Sequence, residues 1–226
     1  MFKNDIITGT ILFDLDGTLL DTAPDLAAAL NIVLEKHQRN PLPFQRIRPF
    51  ASAGTRGLLG LGFNIQESDP NYPELRSEFL QAYHDHLTIH TTLFPGMAEV
   101  LDAIEAQGLQ WGVVTNKPTN LSQELLVAFH LAKRAACIVG ADIVAHRKPA
   151  PDSLLLACQL IEVEPKTCIY LGDAKRDIEA AHNAGMPAIA ASYGYIQAED
   201  DPFTWGADGI ISQPKELLLT VKLIDH

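Results

Sequence analysis

Short apolar runs alternate with segments of helical periodicity along most of the 226-residue chain, and this alternation constrains the fold more than any other feature. Turn or polar residues follow the runs, as is typical of short buried strands. The runs span residues 7–13, 109–115, 136–140, 167–172, 187–192 and 209–212. The pattern predicts an α/β fold with a Rossmann-like, doubly wound parallel sheet, and such sheets bind ligands at the carboxyl ends of their strands.

One stretch, residues 24–90, lacks any convincing strand pattern. Apolar residues recur at helical spacing near its two ends, and its middle is rich in proline and glycine. These apolar residues are Leu26, Leu30, Val33 and Leu34 near the start, and Leu75, Phe79, Tyr83 and Leu87 near the end. We therefore predict a core domain formed by residues 1–23 and 91–226, with a small helical cap domain inserted at residues 24–90.

The acidic composition narrows the classes of partner. The sequence has 17 Lys and Arg against 28 Asp and Glu, a net charge of −11, which disfavours binding to nucleic acids and to anionic membranes. No apolar run approaches the length of a membrane span, and residues 1–10 lack a secretory signal pattern. Cys137, Cys158 and Cys168 have no CxxC spacing, which indicates free thiols in a reducing compartment. We expect a cytoplasmic protein, monomeric or homodimeric, with a small-molecule partner.

The strongest local motif is Asp14-Leu15-Asp16-Gly17-Thr18, at the end of the first predicted strand. Two carboxylates two residues apart point to the same side of a strand that continues through them. Gly17 permits a sharp turn and a close approach of the backbone to a ligand. The alternative interpretation is an ordinary strand-ending turn, since Asp and Gly often occupy such turns.

Polar residues also follow three later strands. Thr115, Asn116 and Lys117 end the second predicted strand of the core, and Lys148 lies in the loop after the third. Gly172-Asp173 ends the fourth, with Asp177 about one helical turn further on. Each alone is also explained as a helix cap, a turn residue or a solvated loop residue. Their joint occurrence at successive strand ends indicates a shared site.

This ordered set of motifs resembles the haloacid dehalogenase superfamily, in its phosphatase branch with a small helical cap. The resemblance covers nearly the whole chain and implies that Asp14 is the nucleophile and Asp16 the general acid and base. It implies that Thr115 and Lys148 bind the phosphoryl group. It also implies a Mg²⁺ ion as cofactor, held by oxygens of these residues: Asp14, Asp16 through its backbone carbonyl, Asp173 and, in support, Asp177.

The resemblance implies hydrolysis of a phosphate monoester through an aspartyl phosphate. Segments 111–118 and 193–196 resemble those of bacterial phosphoglycolate phosphatases, and also those of the alternative group that acts on N-acetylmuramic acid 6-phosphate. Both substrates carry a carboxylate, and Arg56 in the predicted cap is expected to bind it. Asn116 is expected to contact the substrate as well. Lys117 fits either substrate binding or an ordinary surface position.

Other functions fit the sequence less well. A sugar-phosphate mutase remains a more remote alternative. A dehalogenase has no need of a second acid at Asp16, and a phosphonate hydrolase needs a cap lysine, for which Lys36 is poorly placed. A phosphorylation-dependent receiver module is the non-enzyme alternative, although such a module needs no cap.

His86 and His90 have helical spacing, but no neighbouring Cys or carboxylate completes a zinc site.

Overall fold

The computed structural model describes residues 6–223, with side chains from residue 9 to residue 219. The strands are β1 (Ile6–Thr8), β2 (Thr10–Phe13), β3 (Leu20–Asp21), β4 (Thr92–Leu93), β5 (Gln110–Val114), β6 (Ile138–Val139), β7 (Cys168–Gly172), β8 (Ala188–Ala191), β9 (Gly209–Ile211) and β10 (Val221–Leu223). The α-helices are α1 (Ala23–Lys36), α2 (Phe44–Ile47), α3 (Gly54–Phe63), α4 (Tyr72–Asp85), α5 (Met97–Ala106), α6 (Thr119–Ala128), α7 (Asp152–Leu160), α8 (Lys175–Asn183) and α9 (Leu217–Thr220).

Six strands form the predicted parallel sheet, in the order β6-β5-β2-β7-β8-β9. Strand β2 lies inside the sheet, and its side chains are buried on both faces. Ile11 and Phe13 join one hydrophobic cluster, whereas Leu12 joins the other, as the alternation of side chains along a strand requires. Helices therefore cover both faces of the sheet, which confirms the predicted fold class.

The first apolar run does not form one strand, contrary to the prediction for residues 7–13. The chain bends at Gly9, whose backbone N–H donates to the Thr167 carbonyl at 3.0 Å. Strand β1 lies before the bend and pairs with β10 in a separate two-stranded sheet. Only Thr10–Phe13 enters the central sheet, so the run that delivers the first motif is shorter than its apolar pattern suggests.

Residues 24–90 contain helices and no strand, and their two connections to the rest of the chain lie side by side. Strands β3 and β4 pair antiparallel there, and the Asp25 carboxylate accepts hydrogen bonds from the backbone N–H groups of His90 and Thr91, each at 2.9 Å. Helices α1 and α4 pack against each other within this stretch. The boundaries of a separate cap domain stay a prediction. None of the helices in the part of the chain described has the length and apolar character that crossing a membrane requires.

Candidate active site

The residues of the predicted site follow three adjacent strands. Asp14 comes directly after β2, Thr115 directly after β5, and Asp173 directly after β7. Strand β2 pairs in parallel with both neighbours, so the three carboxyl ends meet at one edge of the sheet. The order of strands therefore assembles residues that lie far apart in the sequence.

Lys148 lies at the centre of this edge. Its side chain is fully buried, and its ammonium lies 3.0 Å from Asp14 Oδ1 and 2.8 Å from Asp177 Oδ1. It also donates to the hydroxyl of Tyr170 at 2.7 Å. The Asn116 side chain holds the backbone of Lys148, donating to its carbonyl at 3.1 Å and accepting from its N–H at 3.0 Å. Asn116, which was expected to contact substrate, thus fixes the lysine while also lining the cavity of the site.

Three buried carboxylates form a cluster suited to a cation. Ligand atoms of Asp14, Asp173 and Asp177 all lie within 4.8 Å of one another. Burial raises the pKa of Asp173 to about 7, with further contributions from the charges of Asp14 and Asp177. Burial also raises the pKa of Asp14, against the opposing charge of Lys148. A divalent cation bound here would relieve this repulsion, since hard oxygen donors are the ligands that Mg²⁺ prefers.

The contacts of Asp177 favour a supporting position beside such an ion. One of its carboxylate oxygens pairs with Lys148, and the other accepts from the backbone N–H of Ala174 at 3.0 Å. Asp173 accepts from the backbone N–H of Tyr195 through Oδ2 at 2.8 Å. Asp14 and Asp173 therefore offer the carboxylate oxygens best suited to a metal, with Asp177 orienting Lys148.

Asp16 does not lie on a continuing strand, and that step of the sequence reasoning was wrong. Strand β2 ends at Phe13, and the chain turns at Gly17, which has φ of +85°. A side chain there would place its Cβ 2.1 Å from Asp173 Oδ2, so glycine allows the close approach of the two motifs. The turn carries the Asp16 carboxylate away from Lys148 and toward Lys117 and Thr22.

Lys117 is a member of the site and not a surface lysine. Its side chain is 7% exposed, and its ammonium lies 2.8 Å from Asp16 Oδ1. It also donates to the hydroxyl of Tyr83, in helix α4, at 3.0 Å. Sequence reasoning left Lys117 undecided because Tyr83 lies in a distant segment, and nothing in the sequence predicts that this segment packs over the strand ends.

Residues from the helical stretch reach the strand ends directly. Ser52 donates from its hydroxyl to Asp173, 2.7 Å from each carboxylate oxygen. Arg176 donates to the backbone carbonyl of Ser52 at 2.6 Å. Arg48 donates to the Gly194 carbonyl at 3.1 Å. The sequence singled out the segment containing Ser52 only for Arg56, so these contacts were missed.

A cavity of about 650 Å³ lies between the strand ends and the helical stretch. Asp14, Asp16, Thr115 and Lys148 line it from the sheet side, as predicted for one shared site. Its lining from the helical stretch and nearby loops includes these aromatic and charged residues: Tyr72, Phe79, Tyr83, Arg56, Arg76, Glu67 and Arg147. The cavity thus has paired acids and lysines where the strands end and is rich in arginine elsewhere.

The other candidate sites gain no support among residues 9–219. His86 donates from its Nδ1–H to the Ala82 carbonyl at 2.8 Å, within its own segment. The carboxylate cluster at the strand ends is the metal-competent group found in the described part of the chain. Cys137, Cys158 and Cys168 are buried and free, as predicted.

Chemically, a buried carboxylate beside a lysine, a hydroxyl and a cation site suits a hydrolase that acts on phosphate esters. Comparison with known proteins defines the class more closely. The model of the family described as haloacid dehalogenase-like hydrolase matches residues 11–191. The chain belongs to this family.

Relatives of high similarity are named phosphatases. The N-acetylmuramic acid 6-phosphate phosphatase of Pseudomonas aeruginosa is 41% identical over 208 residues, which cover 92% of each chain. The phosphoglycolate phosphatase of Xylella fastidiosa is 43% identical over 205 residues, covering 91% of this chain and 89% of the relative. A crystal structure from Haemophilus somnus, described as a predicted phosphoglycolate phosphatase, superposes with a TM-score of 0.83 at 27% identity, covering 94% of this chain and 97% of that one.

Proposed function

We propose that this protein is a Mg²⁺-dependent phosphatase that hydrolyses a small, carboxylate-bearing phosphate monoester through an aspartyl phosphate. The observation that carries the proposal is the buried pair of Asp14 and Lys148, which both line the cavity, with Nζ 3.0 Å from Oδ1. A carboxylate oxygen of Asp173 lies within 4.8 Å of one of Asp14. In this proposal Asp14 is the nucleophile, Lys148 the phosphoryl-binding cation and Asp173 a metal ligand.

Asp14 and Asp173 would hold the Mg²⁺ ion together with the backbone carbonyl of Asp16. When bound, the ion supplies positive charge that draws the phosphate toward the acids and favours the ionised carboxylate of Asp14. The donor set fits, because all the groups are oxygens and few of them are charged.

The protein's own groups account for the two half-reactions. In the first, a bond forms between Asp14 and phosphorus, the bond to the leaving oxygen breaks, and Asp16 gives that oxygen a proton. In the second, water attacks the aspartyl phosphate, gives its proton to Asp16, and releases inorganic phosphate and free Asp14. Lys148 and the Thr115 hydroxyl would bind the transferring oxygens.

The arginines of the cavity support a leaving group that carries a negative charge. Arg56 lines the cavity with Arg76 and Arg147, whereas Glu67 adds the opposing charge. All four act on the hydroxyl of Tyr72, whose pKa is raised by burial and by Glu67 and lowered by the three arginines. Their net positive charge within the cavity suits a carboxylate.

Two substrates satisfy this description. Phosphoglycolate is the first candidate. The second, N-acetylmuramic acid 6-phosphate, is favoured by cavity size, because about 650 Å³ is typical of pockets for ligands much larger than a two-carbon ester. The aromatic residues Tyr72 and Phe79 offer the apolar surface on which a sugar ring packs.

The deciding experiment compares kcat/KM for 2-phosphoglycolate, N-acetylmuramic acid 6-phosphate and sugar phosphates that lack a carboxylate, with and without Mg²⁺. We expect steady release of inorganic phosphate, dependence on Mg²⁺, and preference for one of the two carboxylated esters. Isomerisation of a sugar phosphate without phosphate release would instead show a mutase. A single phosphorylation event without turnover would show a receiver module and overturn the proposal.

Two further proposals concern the cellular location and the role of residues 24–90. The three buried free thiols support a reducing compartment, so we propose a cytoplasmic location. We also propose that residues 24–90 act as a cap domain that selects the leaving group, because this stretch supplies Arg56, Arg76 and the aromatic wall of the cavity.

A further inference from the structure

Lys117 is a buried cation with partners in two parts of the molecule. Its ammonium lies 2.8 Å from Asp16 Oδ1 and 3.1 Å from Asp16 Oδ2. It donates to the hydroxyl of Tyr83 at 3.0 Å and lies 4.4 Å from the centre of the Tyr83 ring. The lysine therefore joins Asp16, in the first motif, to helix α4 of the helical stretch.

Tyr83 is a rigid partner. Its side chain is 1% exposed, and its ring stacks on Phe79 with an interplanar angle of 11° and a centroid distance of 6.3 Å. The position of its hydroxyl is consequently set by the packing of α4 and not by side-chain freedom. A shift of α4 would move this hydroxyl and the hydrogen bond that Lys117 makes to it.

Asp16 has one other side-chain partner among the described residues. Thr22, which directly precedes helix α1, donates from its hydroxyl to Asp16 Oδ1 at 2.5 Å. The Asp16 carboxylate is thus held from one side by the start of α1 and from the other by Lys117, with Tyr83 behind it. One contact comes from the residue before α1, and the other from a lysine that is hydrogen-bonded to Tyr83 of α4.

The donor count of Lys117 distinguishes positioning from direct binding of substrate. A lysine ammonium has three N–H donors. Here it faces three oxygens, the two of the Asp16 carboxylate and the hydroxyl of Tyr83. No donor is left over for a phosphate or a carboxylate of the substrate while these contacts persist.

We propose that Lys117 is a positioning residue. Through its hydrogen bond to Tyr83, it makes the orientation of the Asp16 carboxyl group depend on the position of helix α4. Proton delivery to the leaving oxygen then depends on α4 lying over the site. The inference rests on the proposed function, in which Asp16 gives its proton to the leaving oxygen as the phosphorus–oxygen bond breaks.

The test compares two esters whose leaving oxygens differ in their need for a proton. An alkyl phosphate such as 2-phosphoglycolate releases a strongly basic oxygen that requires protonation, whereas p-nitrophenyl phosphate releases a stable phenolate that does not. Lys117→Met removes the ammonium at similar length, and Tyr83→Phe removes only the hydroxyl. For each variant, single-turnover phosphorylation with the alkyl ester is compared with the p-nitrophenol burst, which reports the same half-reaction.

We expect Lys117→Met to slow phosphorylation by the alkyl ester about ten- to a hundredfold, with the p-nitrophenol burst rate and both KM values within about threefold of wild type. Tyr83→Phe should show the same pattern with a smaller loss. Lys166→Met is the matched control and should leave both rates unchanged, because Lys166 is an exposed lysine that pairs with Glu164 and does not line the cavity.

Equal losses with both esters overturn the inference, because a merely structural role makes no distinction between leaving groups. A raised KM with an unchanged phosphorylation rate also overturns it and makes Lys117 a direct substrate ligand. If Lys117→Met fails to fold, as judged by circular dichroism, Tyr83→Phe decides by the same criterion. A wild-type chain that turns over no ester overturns the proposed function as well, whereas active wild type with uniform losses overturns only the coupling.

Discussion

The strand ends and the helical stretch meet at one cavity but are built differently. At the strand ends, Asp14, Lys148 and Asp177 are buried and joined by short contacts, and Asp14 directly follows a strand with a parallel neighbour on each side. On the opposite side, Arg56 and Arg76 are exposed. Buried charges depend on exact partners, whereas exposed ones can change at little cost to the fold. The difference is that expected between groups that carry out a reaction and groups that select its substrate.

Two contacts between the regions reach residues of the proposed chemistry, either directly or through one neighbour. Ser52 contacts Asp173, and Tyr83 contacts Lys117 beside Asp16. The helical stretch thus touches a predicted metal ligand and, through one lysine, the predicted general acid. Movement of this stretch would therefore change the contacts of Asp173 and Lys117 without any change in the sheet.

The largest expected effect comes from the strand ends. Asp14→Asn should lower steady phosphate release by at least about a thousandfold, because an amide cannot form the aspartyl phosphate. The measurement is inorganic phosphate released per enzyme over many turnovers, with every ester of the panel. The loss should be equally severe for carboxylated and neutral esters, since Asp14 acts on the phosphoryl group that they share.

Asp200→Asn is the matched control for this change. Asp200 lies in an exposed loop away from the cavity, so its variant should retain wild-type turnover. Full activity of Asp14→Asn would remove Asp14 as the nucleophile. A loss confined to one ester would show that Asp14 helps to select the substrate. The two regions would then not differ in function as described above.

The next effect concerns stability of the metal-free protein. The pKa of Asp173 is raised from 3.8 to about 7, so the folded state binds a proton more tightly than the unfolded state. The resulting stabilisation is complete below pH 3.8 and is lost as the pH rises through about 7. Between pH 5 and pH 8, the free energy of unfolding should therefore fall by about 3 kcal/mol relative to that of Asp173→Asn.

Urea unfolding of both proteins in a chelating buffer, across this pH range, measures the difference. Added Mg²⁺ should restore stability to the wild-type chain at pH 8 and much less at pH 5, because the ion competes with the proton for Asp173. If the free energies of unfolding of the two proteins change equally with pH, the pKa of Asp173 is not raised in the metal-free protein. Repulsion among the carboxylates at the strand ends would then be weaker than their geometry indicates.

The smallest effect comes from the helical stretch. Arg56→Ala should raise KM about three- to tenfold for carboxylated esters and leave KM for neutral sugar phosphates within about twofold, since an exposed charge pair contributes little free energy. Arg46→Ala, an exposed arginine of the same stretch outside the cavity, serves as the control. Equal changes for all esters would show that Arg56 does not select the substrate.

Much of the strand-end cluster could be predicted from sequence because its cause is local. An apolar run followed by Asp14, and another followed by Asp173, place both acids at the same edge of any parallel sheet. Lys148 was found by its position in a loop after a strand, although its burial between two carboxylates was not predictable. The single strand expected over residues 7–13 failed because apolar pattern alone does not locate the bend at Gly9.

The sequence by itself determined the α/β class, the family resemblance and the residues at the strand ends, because strand patterns and motif spacing are properties of neighbouring residues. Only the tertiary structure decided that Ser52 lies on Asp173 and that Lys117 is shared between Asp16 and Tyr83. Those contacts join segments distant in the chain, and they depend on how a helical stretch packs over a sheet edge. Packing of that kind is set by shape and burial over the whole molecule, which no local pattern records.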